Sequence, residues 1–143
     1  MATSRSMNEL ARRFAIIAKA VEVNSLKTVQ RAAISADQVL VIKTPVDTGR
    51  ARSNWIVSIG QPSGTSKPTP VDPGTGANEA LEQGRGEIGG YKLGRGGIFI
   101  TNNVVYIVRL DNGYSAKAPA GMTAAALSAA RRQFSESRLL RGV

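Results

Sequence analysis

The sequence predicts an α+β fold in a single domain: a small, mostly antiparallel sheet packed with helices, with long flexible loops at 60–76 and 84–97. Three observations lead there. Apolar residues recur at helical spacing near both ends of the chain, β-rich runs occupy 52–60 and 98–110, and segments dense in Gly, Pro, Ser and Thr separate them. A length of 143 residues suits one domain with a real core, and with aromatics at only 5% that core must be built from Ala, Val, Ile and Leu.

Leu10, Phe14, Ile17 and Val21 fall at steps of four, three and four, which predicts a helix over about 8–20. That phase fails at Asn24 and Thr28, and a second stripe of Leu26, Val29, Ala33, Ala36 and Leu40 predicts a separate helix over about 25–43, N-capped by Asn24 or Ser25. Both stripes read as core-packing faces. Pro45 ends the second helix by pushing its predecessor out of the α region, and Asp47-Thr48-Gly49 supplies turn chemistry. "RSNWIVSIG" alternates, giving a strand with Ser53, Trp55, Val57 and Ile59 on one side.

Residues 60–76 offer little to bury and read as a mobile loop. "ANEALEQGRGEI" reads as a short helix weakened by Gly84 and Gly86, followed by a glycine-rich connection. "IFITNNVVYIVRLDNG" reads as two strands around an Asn102-Asn103 turn or bulge, closed by Asp111-Asn112-Gly113. From Ala120 onward the chain has high helical propensity, with Met122, Ala126, Ala129 or Ala130 and Phe134 forming a narrow stripe to lie against the sheet.

Composition restricts function more sharply than fold. The chain has no Cys and no His, which removes disulfides, thiolate and imidazole metal sites, cysteine nucleophiles and His-based acid–base catalysis. No catalytic, cofactor or metal site is expected, so an enzyme is disfavoured. The net charge of +9 points to an anionic partner. Cations exceed anions in 1–60 and 98–143 and balance in 61–97. No run approaches the roughly 20 apolar residues of a membrane span, and the first ten residues lack the apolar stretch of a signal peptide, so the chain reads as soluble and unsecreted.

"GRGEIGGYKLGRGG" lacks the Gly-Lys-Ser/Thr ending of a phosphate loop. The carboxylates Asp47, Asp72, Glu79, Glu82, Glu87 and Asp111 show no metal-loop spacing. Arg131 and Arg132, with Arg138 and Arg141 beyond, form a basic C-terminal segment, and Arg12, Arg13 and Lys19 a basic face near the start. Either would attract phosphate backbones, yet no zinc-finger spacing, RNA-recognition motif or recognition helix accompanies them. In "TPVDTGRARSNW", Arg50 and Arg52 read as pointing to one side of a rigid corner, placed for bidentate contacts with carboxylates of another chain. Trp55 reads as a core anchor.

Taken in order, "TPVDTGRARSNWIVSIG", "IFITNNVVYIVRLDNG" and "SAKAPAGMTAAAL" resemble the neck or tail-completion proteins of tailed bacteriophages, including the lambda-type tail-completion family, over residues 24–133. The resemblance implies a virion structural protein of the head–tail neck, assembled in the host cytoplasm. It would act without catalysis as a homo-oligomeric ring between the head–tail connector and the tail terminator or tail tube proteins, with possible non-specific contact with genomic DNA and none with membrane. It further implies interface roles for Arg50, Arg52, Arg131 and Arg132, and packing roles for Trp55 and Tyr106. Structural turns fall at Pro45, Asp47, Thr48 and Gly49 and at Asp111, Asn112 and Gly113. The N-terminal segment (about 1–8) and the tail (about 134–143) carry no family signal and read as poorly ordered or phage-specific. The alternative function is a basic nucleic-acid-binding module.

Overall fold

The computed structural model describes residues 2–113 and 120–142, so residues 115–119 of the last family-like motif lie outside the described residues. The elements run α1 (Ala2–Lys43), α2 (Arg50–Ser53), β1 (Ile56–Ile59), α3 (Pro73–Gly89), β2 (Ile98–Thr101), α4 (Ile107–Asp111) and α5 (Thr123–Ser135). The architecture is α+β, a helical body around one small antiparallel sheet, as the sequence predicts.

α1 is one helix of 42 residues, about 63 Å long, where the sequence predicts two. Residues 21–25 hold neither Gly nor Pro, so nothing there stops the helix. Asn24 sits inside it, and the Thr28 hydroxyl bonds back to the Asn24 carbonyl at 2.9 Å. The change of stripe phase marks a change of surroundings instead. Residues 6–16 are exposed, whereas Thr28, Ala32, Leu40 and Val41 are buried against the body. The first stripe, expected in the core, therefore stands in water: Leu10 is 45% and Phe14 62% exposed.

β1 is shorter than the predicted strand because 50–53 closes a helical turn, in which the Ser53 N–H donates to the Gly49 carbonyl at 2.9 Å. β1 pairs with β2 so that Ile56 faces Thr101 and Ile59 faces Ile98. With two strands among the described residues, β1 has an open edge, and a side chain covers it. The Gln83 amide accepts from the Val57 N–H at 3.0 Å and donates to the Val57 carbonyl at 2.8 Å, as a third strand would.

α3 starts earlier than predicted, at Pro73, because Asp72 N-caps it through the Thr75 N–H at 2.8 Å and the Thr75 hydroxyl at 2.7 Å. The amide bond from Thr75, followed by its hydroxyl bond, holds the Asp72 carboxyl below its usual range. The two loops are accordingly 60–72 and 90–97, shorter than predicted. Gly84 belongs to α3, and its lack of a side chain lets the helix approach α1 until a Cβ there would overlap the Asp37 carboxylate. The second half of "IFITNNVVYIVRLDNG" is α4, not a strand, since no further strand among the described residues is present for it to pair with.

α5 lies along α1 rather than on the sheet. Met122 and Ala126 join Leu40, Val41, Trp55 and Ala80 in the core, while Phe134, predicted to extend the buried stripe, is 53% exposed. The start of α5 is held from a distance: Asp111 Oδ1 accepts the N–H groups of Met122 and Thr123 at 2.9 and 2.8 Å. Burial acts to raise the Asp111 carboxyl, but the Thr123 and Met122 amides outweigh it, leaving the group below its ordinary value.

Candidate functional site

The corner at 44–55 turns the chain at the C-terminal end of α1. The last carbonyls of a helix carry partial negative charge and lack intrahelical donors. Here Arg52 supplies them, donating from Nη2 to the Ile42 carbonyl at 2.8 Å and from Nε and Nη2 to the Thr44 carbonyl at 3.1 and 2.9 Å. The predicted interface residue Arg52 is thus a cap within its own chain. Arg50 points elsewhere, because two residues on a helical turn are about 200° apart, whereas on a strand they would share a side.

Thr44 links the corner to the core. Its buried hydroxyl donates to the Leu40 carbonyl at 2.5 Å and accepts the Trp55 indole N–H at 2.7 Å. Trp55 is 7% exposed, in the core as expected. Thr48 rather than Asp47 supplies the turn's side-chain acceptor, taking the Arg50 N–H at 3.3 Å, while Asp47 is exposed. Gly49 adopts φ 84°, and a Cβ there would come within 2.7 Å of Pro73 Cα, so both conformation and space require glycine.

Asn54 is fully buried and bonds the loop to the corner: its amide donates to the carbonyls of Arg50 (2.7 Å) and Lys67 (3.1 Å) and accepts the Lys67 N–H at 2.6 Å. Asn102 donates to the Ala51 carbonyl at 2.8 Å and accepts from the Val104 N–H at 3.1 Å. Asn103 donates to the carbonyls of Ser63 and Thr65 at 2.8 and 2.9 Å. In place of the predicted turn or bulge between two strands, Asn102 and Asn103 supply two amides that pin the loop 60–72 and α2.

A hollow of about 380 Å³ opens beside this corner, lined by Pro45, Val46, Gly49, Arg50, Tyr106 and Leu110, among others. Tyr106, expected to pack, is 39% exposed on its wall. Arg50 Nε is buried there without a hydrogen-bond partner. Exposed Val105 and Val108 flank Tyr106 and add apolar surface. Asn112 and Gly113 end α4, with Asn112 N–H donating to the Val108 carbonyl at 3.0 Å and Gly113 at φ 84°. Arg131 and Arg132 are exposed on α5, remote in the chain from the corner that holds Arg50 and Arg52. Of the four predicted interface arginines, Arg50 alone lines the hollow.

The second surface is the free end of α1. Met7, Leu10, Phe14, Ile17 and Val21 lie within about 60° of one line along the helix, with Ala11 and Ala18 beside them. Its ion pairs lie off that line, between Arg12 and Glu9 at 2.9 Å, Arg13 and Glu9 at 3.6 Å, and Lys19 and Glu22 at 3.7 Å. Sequence reading found this stripe but gave it a buried partner. The mismatch in phase with the stripe that follows was the signal that one side was left uncovered.

Among the described residues, no group of three or more His, Cys, Asp or Glu is placed to hold a metal ion, and no helix is long and apolar enough to cross a membrane. Comparisons with protein-family models, curated proteins and solved structures find no match.

Proposed function

We propose that this chain is a non-catalytic structural subunit of a tailed-phage neck, joining the head connector to the tail as a ring of several copies. The observation that carries this reading is the uncovered face of α1, where Met7, Leu10 and Phe14 are 64%, 45% and 62% exposed on a helix clear of the body. Apolar surface presented on one side of a helix is stabilised by a partner that covers it.

The far end of the same helix carries a different apolar surface, the corner hollow with Tyr106, Leu110 and the neighbouring valines. Two unlike surfaces separated by a long helix suit a heterologous contact, in which the projecting helix of one copy seats on the corner of the next. Such contacts close into a ring when the rotation between copies divides a full turn. Arg50, held at the hollow, would meet carboxylates or helix-end carbonyls of the incoming segment. The phage assignment itself rests on the sequence resemblance described above.

Particles produced without the chain test this directly by electron microscopy. The expected result is separate filled heads and finished tails. Joined, infectious particles in its absence would contradict the proposal.

A further inference from the structure

A second concavity, of about 380 Å³, lies where α5 ends and the C-terminal tail crosses α1. Lys27 and Arg31, one helical turn apart on α1, form one wall, and Arg138 and Arg141 from the tail form the other. Glu136 is the single carboxylate on its lining among the described residues. No ion pair with a described carboxylate engages any of the four cations, as the pairs formed on α1 lie at Glu9 and Glu22.

The fold holds these like charges together. The Asn24 side-chain amide donates to the Leu139 carbonyl at 2.8 Å and to the Arg141 carbonyl at 3.0 Å, tying the tail backbone across the helix. An Arg141 N–H to Arg138 carbonyl bond at 3.2 Å turns the tail so that both its arginines line the same hollow. Four cations in one cleft repel one another, and a cleft of one sign concentrates field. The C-terminal end of α5 offsets about half a charge, and Glu136 about one, leaving an excess near +2.5 among the described groups. A tetrahedral oxyanion matches that excess in charge, and the two guanidinium forks of Arg138 and Arg141 match its geometry.

We infer that this groove binds a phosphate group, whether of inorganic phosphate or of a nucleic-acid backbone, through Lys27, Arg31, Arg138 and Arg141, with Asn24 as the positioning residue. The site stands apart from the assembly reading, since it uses neither the free face of α1 nor the corner.

The test uses the full chain and four variants: Lys27→Gln/Arg31→Gln, Arg138→Gln/Arg141→Gln, Asn24→Ala, and Arg12→Gln/Arg13→Gln as a control that removes the same charge elsewhere. Thermal melting in inorganic phosphate is compared with chloride at equal ionic strength, and anisotropy of a short labelled duplex is followed across a salt series. Phosphate-specific stabilisation or duplex binding that persists in the control, but falls about tenfold in both groove double variants and several-fold in Asn24→Ala, supports the site. A response to inorganic phosphate identifies a free or terminal phosphate; a response to duplex alone identifies the phosphodiester backbone. Equal behaviour of the groove variants and the control in both assays overturns the inference, as does no binding of either probe by the unaltered chain.

Discussion

Asp37 is where solution conditions act most strongly on this molecule. Its side chain is closed in between α1 and Gly84 of α3, residue exposure is 2%, and Oδ1 has no hydrogen-bond partner. Burial pushes its carboxyl up to about 7, with the Arg85 charge pulling the other way. An unfolded chain releases this proton near 3.8, so between 3.8 and about 7 the folded state binds more protons than the unfolded one. Stability is then greatest below the unfolded value and is lost progressively as pH rises to about 7. Melting temperature measured from pH 5 to pH 8 should fall, and Asp37→Asn should flatten that slope and melt higher than the unaltered chain at pH 8. A slope unchanged by the substitution would contradict this account. The two arginines of the corner differ in kind. Arg52→Gln removes charge-assisted bonds to helix-end carbonyls and should destabilise by about 1–3 kcal/mol, whereas Arg50→Gln should leave melting within about 0.5 kcal/mol of the original and act on assembly. Equal melting losses would show that Arg50 is structural as well.

Among the elements, β1 depends most on a side chain that no pattern announces. Gln83 stands in a helix with ordinary polar neighbours, yet its amide completes the open edge of a two-stranded sheet. In Gln83→Ala the Val57 amide should exchange with solvent at least about tenfold faster while the chain stays folded; unchanged exchange would mean the edge is protected some other way. The same limit explains which elements were legible in the sequence. Helical periodicity and the Pro45 stop located the end of α1, and Met122 with Ala126 located the buried side of α5. Local propensity could not separate α4 from a strand, because Val and Ile serve both and the choice depends on whether a paired strand exists. Asn54 read as a strand residue and Asn102-Asn103 as a turn or bulge, and only distant partners make them fasteners of the loop and of α2. The corner's position was legible from Pro45 and Gly49, but the inward role of Arg52 was not, since a cap is defined by carbonyls ten residues back in the chain.

At the scale of the whole molecule, a helix of about 63 Å separates two apolar surfaces that differ in shape, and a net charge of +9 makes copies of the chain repel one another. Phe14→Glu places a charge at the centre of the free face without touching the core, so the monomer's melting should stay within about 0.5 kcal/mol. Its incorporation into particles should drop sharply, as measured by mass spectrometry of purified virions from a mixed infection; normal incorporation would remove the helix face from the assembly. The central claim is that this face is covered by a neighbour in a neck ring, and a density map of the intact head–tail neck tests it most directly. The account predicts repeated copies of this chain, each with residues 7–21 lying against the corner hollow of the next. A map in which those residues face solvent, or in which no copy of the chain is found, would contradict it.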